Sequence, residues 1–409
     1  MPRSTPFGDN AASQCDLAPE LVLADLQSDA LATADLAQAV SAALSQPRDF
    51  PNLAEATVPG DVVLFAIGKN VIAVEEVVRG IVLHVQEAKL TERTIQFLLP
   101  PGVLPGQVDR LQEIVAPLGE GTEVVVHQPQ DQKANSFLTS TQDSRAIILN
   151  RHLCDADMVV PIDVARSEGG FSYFGPFSSI YPTFSDIDSI KRWNSPLFVT
   201  RVQRRKRRVA DVEEVRSLLG IVVNMLLLPA SGGGYHSAIF GEAASVEAAA
   251  ASQMIEHWEP NVPSLAGAVI ALVTGGRMGQ TWENAARALA NVENLVRPGG
   301  AIILATEIRE RPGAAMAQMA ESLEFTDFET EMRKSRHADA AIALQFAKTL
   351  SQCKIYFRSL LSEEILDQLD LIPVESDEEC RKICEHYQEV VVVHDAQSMS
   401  VQVADTSVA

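Results

Sequence analysis

The sequence predicts an α/β protein of two domains, each built on a mainly parallel sheet, with a cleft between them. Three observations carry this expectation. Short β-branched runs alternate with amphipathic stretches through most of the 409 residues, the pattern of strand–helix–strand units. Three such units follow one another in the first part of the chain, which requires parallel strands joined by crossover helices. The alternation then pauses at a linker containing Pro260 and Pro263 and starts again, as at a domain boundary. The expected units are 15–258 and 262–395, with a flexible leader over 1–14 and a flexible tail over 396–409.

The elements follow in order. An opening strand is expected near Leu21–Asp25, and the Ala-rich stretch Thr33–Leu44 reads as a helix with Thr33 as its cap. Strand Asp61–Ile67 (DVVLFAI), a helix from Ile72 to Glu87, strand Ile95–Leu99, helix Val108–Leu118 and strand Glu123–His127 come next. Two further strands are expected at Ala146–Leu149 and Met158–Ile162. Ala165–Phe184 is rich in Gly, Ser, Pro and aromatics, and so long a loop inside a domain is usually functional or mobile. Arg201–Arg208 holds six Lys/Arg in eight residues and reads as a solvated, disordered face, with phosphate or an acidic partner as the alternative use. Helix Asp211–Leu219, strand Ile221–Leu228 and helix Glu242–His257 close the first unit.

In the second unit, strand Ala268–Val273 leads to helix Thr281–Val296, stopped by Arg297–Gly300, and then to strand Ala301–Ala305. Helices are expected across 313–350. Strand Cys353–Phe357, a helix over 362–369, strand Leu371–Val374, helix Asp377–Tyr387 and strand Glu389–Val393 complete it.

Composition narrows the function. Acidic residues outnumber basic ones 54 to 33, for a formal charge of −21. Such a surface repels nucleic acid and anionic lipid. No run of 18 apolar residues occurs, so no membrane span is expected, and MPRSTPFGDNAASQCD lacks the apolar core of a secretory signal. Five scattered cysteines read as reduced thiols in a cytoplasmic protein. Cys380 and Cys384 share a helix and are expected to be buried, because a zinc site needs a second ligand pair.

Two segments could carry chemistry. In Thr274–Leu289 (TGGRMGQTWENAARAL) a strand runs through a glycine-rich turn into a helix. Strand ends and helix starts of this kind favour anions. Trp282, Ala285, Ala286, Leu289 and Val292 share one helix face, and Glu283, Asn284 and Arg287 project elsewhere. The glycines fall short of GxGxxG. The plain alternative is an exposed Glu283–Arg287 pair. The second segment is Arg166–Tyr181 (RSEGGFSYFGPFSSIY), whose alternative is a packed aromatic loop. GFSYFG lacks the second glycine of a nucleophile elbow. Asn150-Arg151-His152 carries a lone histidine, and no His-x-x-x-His or His-Glu pair occurs, so no protein-only metal centre is expected.

Taken in order, NRHLCDADMVV (150–160), the loop ending in Tyr181-Pro182, the helix leading to Trp193-Asn194 and LVRPGGAIILATE (295–307) resemble the lactate racemase LarA family across residues 15–395. The resemblance implies two α/β domains with the active site between them. It also implies a nickel-pincer nucleotide cofactor, tethered to a lysine and with its nickel bound by a histidine, that exchanges a hydride with Cα of lactate. Against that pattern, the catalytic histidine position holds Glu168 and the cofactor-lysine position holds Ser178. The nickel-histidine position holds Trp193 or Asn194. The first-domain Gly-Thr-His-Arg segment aligns near 99–102 without a histidine, and Tyr-Gln-x-x-Lys becomes Glu283-Asn284-x-x-Arg287. No lysine lies between Ala165 and Ile190, so covalent tethering is not expected.

Two functions from different classes follow. One is a diverged isomerase or epimerase of a small 2-hydroxy acid or sugar acid. Glu168 would be its base, Arg287 and Arg277 would hold the carboxylate, and Arg166, Glu283 and Asn284 would line the substrate. Trp282 would wall the site, and Ser178, Gly275 and Gly276 would stand where the cofactor sits. The other is a non-catalytic relative, a pseudoenzyme that binds a small carboxylate or an assembly partner. A nucleotide-dependent enzyme using the Gly275–Gln280 turn is a third, weaker reading.

Overall fold

The computed structural model describes residues 3–6, 14–90, 92–140, 146–194, 201–319, 324–335 and 337–404. Two six-stranded sheets form its frame. The first runs, from edge to edge, Tyr235–Glu242, Val223–Pro229, Met158–Val164, Val62–Ile67, Thr94–Leu99 and Glu123–Val126. All its pairings are parallel except that of the first two strands. The second sheet is parallel throughout: Ile372–Pro373, Lys354–Arg358, Val296–Ala305, Ala266–Leu272, Val390–Val393 and Val22–Leu26.

Strands covered on both faces need apolar residues at every position, and VVLFAI supplies them. Val63, Phe65 and Ile67 face one core, while Leu64 and Ala66 face another. The central strand of the second sheet divides in the same way. Val269 and Ala271 face the large helical layer, and Ala268, Ile270 and Leu272 face the layer that includes Cys380 and Cys384. Both cysteines are buried, as the sequence predicts.

Several expectations are corrected. The opening strand Val22–Leu26 belongs to the second sheet, beside Val390–Val393, although its position in the chain grouped it with the first unit. The leader is partly structured, since Arg3–Pro6 pairs with Gln14–Leu17; residues 1–2 and 7–13 lie outside the described residues. The tail is not loose up to Ala404: Gln402–Val403 pairs with Asn261–Val262, and Met399 and Val401 are buried. Ala146–Asn150 forms a separate hairpin with Asn135–Ser140. Strand Tyr235–Glu242 was not expected. The basic run is helical from Arg201 to Leu218. Its Arg208 is buried with the guanidinium over the rings of Phe174 and Trp193. The cap of helix Leu36–Ser45 is Asp35 rather than Thr33, accepting from the Gln38 N–H at 2.9 Å. Among the described residues no helix is long and apolar enough to cross a membrane.

Candidate functional site

Each sheet reverses its strand order at its centre. In the first sheet the reversal lies between Val62–Ile67 and Met158–Val164, in the second between Ala266–Leu272 and Val390–Val393. Ligands of open parallel sheets bind outside the carboxyl ends of the strands at such points. Here the segments leaving all four strands meet. Lys69–Ile72, Ala165–Arg166, the residues Thr274, Gly275, Met278 and Gly279, and Gln397–Ser398 line one cleft between the domains, joined by Gly233–Tyr235 and by Glu283, Asn284 and Arg287 of helix Trp282–Val292. The cavity measures about 180 Å³.

Main-chain geometry builds its floor. Gly275 has φ +98° and Gly276 φ +57°, values that suit glycine because it has no Cβ. Thr281 caps the following helix by accepting from the Asn284 N–H at 3.2 Å, and the Asn284 amide donates back to the Gly279 carbonyl at 2.7 Å. The two domains touch through glycines: a Cβ on Gly233 would lie 2.8 Å from Cα of Gly275. Asp395 fastens the same junction, accepting from the Gly232 N–H and from the Thr274 hydroxyl.

Charge is concentrated at the cleft. The Glu283 carboxylate bridges Lys69 Nζ (2.9 Å) in the first domain and Arg287 Nη2 (3.1 Å) on its own helix. Arg287 Nη1 also donates to the Asn284 side-chain oxygen. Arg287 is 5 % exposed, and its Nε is buried without a hydrogen-bond partner. Asp163 lies buried beneath, accepting from the Val164 N–H at 2.8 Å. Burial raises its carboxyl against the pull of Arg166, Arg287 and Lys69. Burial would raise Glu283 too, but Lys69, then Arg287 and Arg166, outweigh it and hold the carboxyl at about 2. Burial, with Arg166 beside it, brings Arg287 down to about 9, while Glu283 and Asp163 push back. Three cations therefore meet two carboxylates, and one buried donor is left over.

The structure brings together Arg166, Glu283, Asn284, Arg287 and Gly275. It does not bring the other expected residues to the cleft. Glu168 is exposed and lines a neighbouring groove with Tyr173 and Glu247. Arg277 is exposed. Trp282 is core: it stacks on Phe357, meets Phe346 edge-on and donates its indole N–H to the Glu310 carbonyl at 3.0 Å. Gly276 shapes the turn behind Gly275. The Ser178 hydroxyl is turned onto the Gly175 carbonyl at 2.6 Å. Lys69, Asp163, Asp395 and the run Gly232–Gly234 were missed; of these, only the three consecutive glycines are conspicuous in the sequence.

Solved structures of similar fold include the following two. One is the lactate racemase apoprotein from Thermoanaerobacterium thermosaccharolyticum, with a TM-score of 0.80 and 17 % identity over 98 % of this chain and 100 % of that one. The chain has the lactate racemase fold. The other is a protein from Thermotoga maritima, with a TM-score of 0.66 and 9 % identity over 91 % of this chain and 100 % of that one. No protein-family model and no curated protein sequence matches the chain.

The residues at the cleft do not fit a lysine-tethered nickel-pincer nucleotide. The loop 166–181 has no lysine, and the one lysine lining the cleft, Lys69, is engaged by Glu283. Among the described residues no histidine lines the cleft, and no group of three or more His, Cys, Asp and Glu could hold a metal. The cavity volume is also small for a nucleotide: about 150 Å³ takes a benzene-sized molecule.

Proposed function

We propose that the protein binds a small carboxylate, of 2-hydroxy-acid size, in the cleft between its domains. The observation that carries this reading is Arg287: a buried guanidinium with an unpartnered Nε, on the wall of a cationic cavity of about 180 Å³. Arg166 supplies a second cation, Lys69 and Glu283 fix the polar wall, and Gly275 lets the main chain approach. The volume favours a three- or four-carbon acid over a sugar acid.

Binding is better supported than isomerisation. An isomerase of this substrate needs an acid/base pair beside Cα. Glu168, the expected base, faces another groove, and Glu283 is held ionised by its two ion pairs. The protein is thus read as a carboxylate-binding member of the lactate racemase fold, working in the cytoplasm.

Calorimetric titration with D-lactate, L-lactate, glycolate and the neutral analogue lactamide tests this. The acids should bind saturably and lactamide should not. Arg287→Gln should weaken the acids about 100-fold, the scale of a lost charge-assisted pair. Equal binding of lactamide, or unchanged binding by R287Q, refutes the reading. Chiral chromatography of the same mixtures reports turnover: interconversion of D- and L-lactate that is lost in R287Q restores the isomerase reading.

A further inference from the structure

A groove of about 510 Å³ lies beside the carboxylate cleft and shares Ala165 and Arg166 with it. The loop after strand Met158–Val164, helix Arg201–Leu218 and helix Ala243–Trp258 form its walls. Helix Ala243–Trp258 lines it with Glu247, Ala250, Ala251 and Met254, the i, i+3, i+4, i+7 spacing of one helix face. That face is charged at one end and apolar over the following two turns, and Leu226 and Ile255 extend the apolar part. Leu226 and Met254 are buried while Ala251 and Ile255 are exposed, so the apolar strip runs from the core to solvent.

Both signs of charge line the groove and are held apart. Its cations are Arg166 and Arg205, and its carboxylates are Glu168, Glu213, Glu247 and Glu259. Among the described residues neither arginine is ion-paired with any of the four. Arg205 Nη1 donates instead to the Tyr173 carbonyl at 2.7 Å, and Glu213 pairs at 2.8 Å with Arg216, which does not line the groove. Glu247 is half-buried. Burial and the neighbouring Glu213 push its carboxyl up against the pull of Arg216, and no hydrogen bond offsets them, a costly state for a carboxylate partly removed from water. Ser167 is the independent sign of a missing partner. It is 7 % exposed and lines the same groove, and its buried hydroxyl makes no hydrogen bond, which is rare in folded proteins.

We infer that this groove binds the zwitterion of an apolar α-amino acid. The ammonium pairs with Glu247, the carboxylate takes the guanidinium forks of Arg166 and Arg205, and the side chain lies along Ala250, Ala251 and Met254. The Ser167 hydroxyl can donate to the carboxylate or accept from the ammonium. One helix turn, about 5.4 Å, separates Glu247 from Ala251, close to the reach from an amino nitrogen to the end of a leucine side chain. A simple anion would meet four carboxylates here and a simple cation two guanidiniums, whereas a ligand carrying both charges answers both. The volume lies in the range of small-ligand sites, about 300–1,000 Å³. The inference rests on this groove's own residues and does not depend on what the neighbouring cleft binds.

The test is calorimetric titration of the full chain with L-leucine and with three analogues that each lack one part of it: 4-methylpentanoate without the ammonium, 3-methylbutylamine without the carboxylate, and glycine without the side chain. Leucine should bind saturably and at least tenfold tighter than each analogue, the scale of one buried branched side chain or one charge-assisted pair. Glu247→Gln should weaken leucine at least tenfold and leave 4-methylpentanoate unchanged. Ala251→Trp, on the exposed edge of the helix face, should fill the groove and abolish leucine binding. Circular dichroism melts check that each variant is folded; if E247Q does not fold, A251W carries the comparison. Absence of leucine binding, an analogue that binds as tightly as leucine, or indifference of leucine to both substitutions overturns the inference.

Discussion

Replacing Gly233 by alanine probes the junction that sets the distance between the domains. Gly233 has φ +100°, outside even the small left-handed basin open to L-residues, and entering that half of the map costs an alanine about 1–2 kcal/mol. The new Cβ would also lie 2.8 Å from Cα and 3.0 Å from N of Gly275. Those are main-chain atoms of the other domain, so no side chain can swing away. Overpacking of this kind costs about 1–3 kcal/mol, and together the two effects come to about 2–5 kcal/mol. The neighbouring residue is the control. Gly232 has φ +77°, but a Cβ there meets nothing within 4 Å, so Gly232→Ala should show only the conformational cost of about 1–2 kcal/mol. Urea unfolding of both variants measures the difference. If the domains move apart to relieve the overlap, part of the loss transfers to lactate affinity, so titration accompanies unfolding. G233A that is no less stable than G232A and binds lactate equally well would falsify the close interdomain contact.

Two further outcomes are expected. Trp282→Ala should destabilise by about 3–5 kcal/mol, the range for a large buried aromatic, while Trp282→Phe should lose much less and keep lactate affinity; a loss of binding by W282F with normal stability would put the indole back in the site. Glu283 has a depressed folded pKa of about 2 against an ordinary 4.5, so it contributes stability that is complete above the ordinary value and is lost as pH falls through about 2. Urea midpoints between pH 2 and 6 should therefore fall more steeply for the wild type than for Glu283→Gln, and parallel curves would show that the ion pairs with Lys69 and Arg287 do not form in solution.

What the sequence makes legible is what its local pattern encodes. Val62–Ile67 and Ala266–Leu272 are apolar at every position because both faces are covered, and such runs stand out without any knowledge of their neighbours. The edge position of Val22–Leu26 is not encoded locally: its partner lies more than 360 residues away, at Val390–Val393, and only chain topology brings them together. Tyr235–Glu242 escapes notice because its half-buried edge strand mixes His, Ser and Gly with its apolar residues. The basic part of the helix escapes because its buried residue there is Arg208, whose guanidinium lies over Phe174 and Trp193, while the apolar residues that reach the core, Val212 and Val215, come only further along.

The site divides along the same line. Gly275, Glu283, Asn284 and Arg287 come from one strand–turn–helix unit, so their association is written in consecutive residues. Lys69, Asp163, Gly233 and Asp395 reach the same place from four separate segments, and nothing short of the sheet order shows it. Trp282 shows how a helix face settles a competing reading. It shares the stripe of Ala285, Ala286 and Leu289, all fully buried, so the rotation that buries those residues takes Trp282 with them and leaves Glu283 and Arg287 facing the cleft. The same separation lets the cleft and the loop 166–181 differ independently within one fold. The turn that lines the cleft is fixed by main-chain geometry at Gly275 and by a helix whose other face is core. The loop 166–181 meets the neighbouring grooves through Glu168 and Phe171, and exchanging those side chains leaves the strand–turn–helix unit intact.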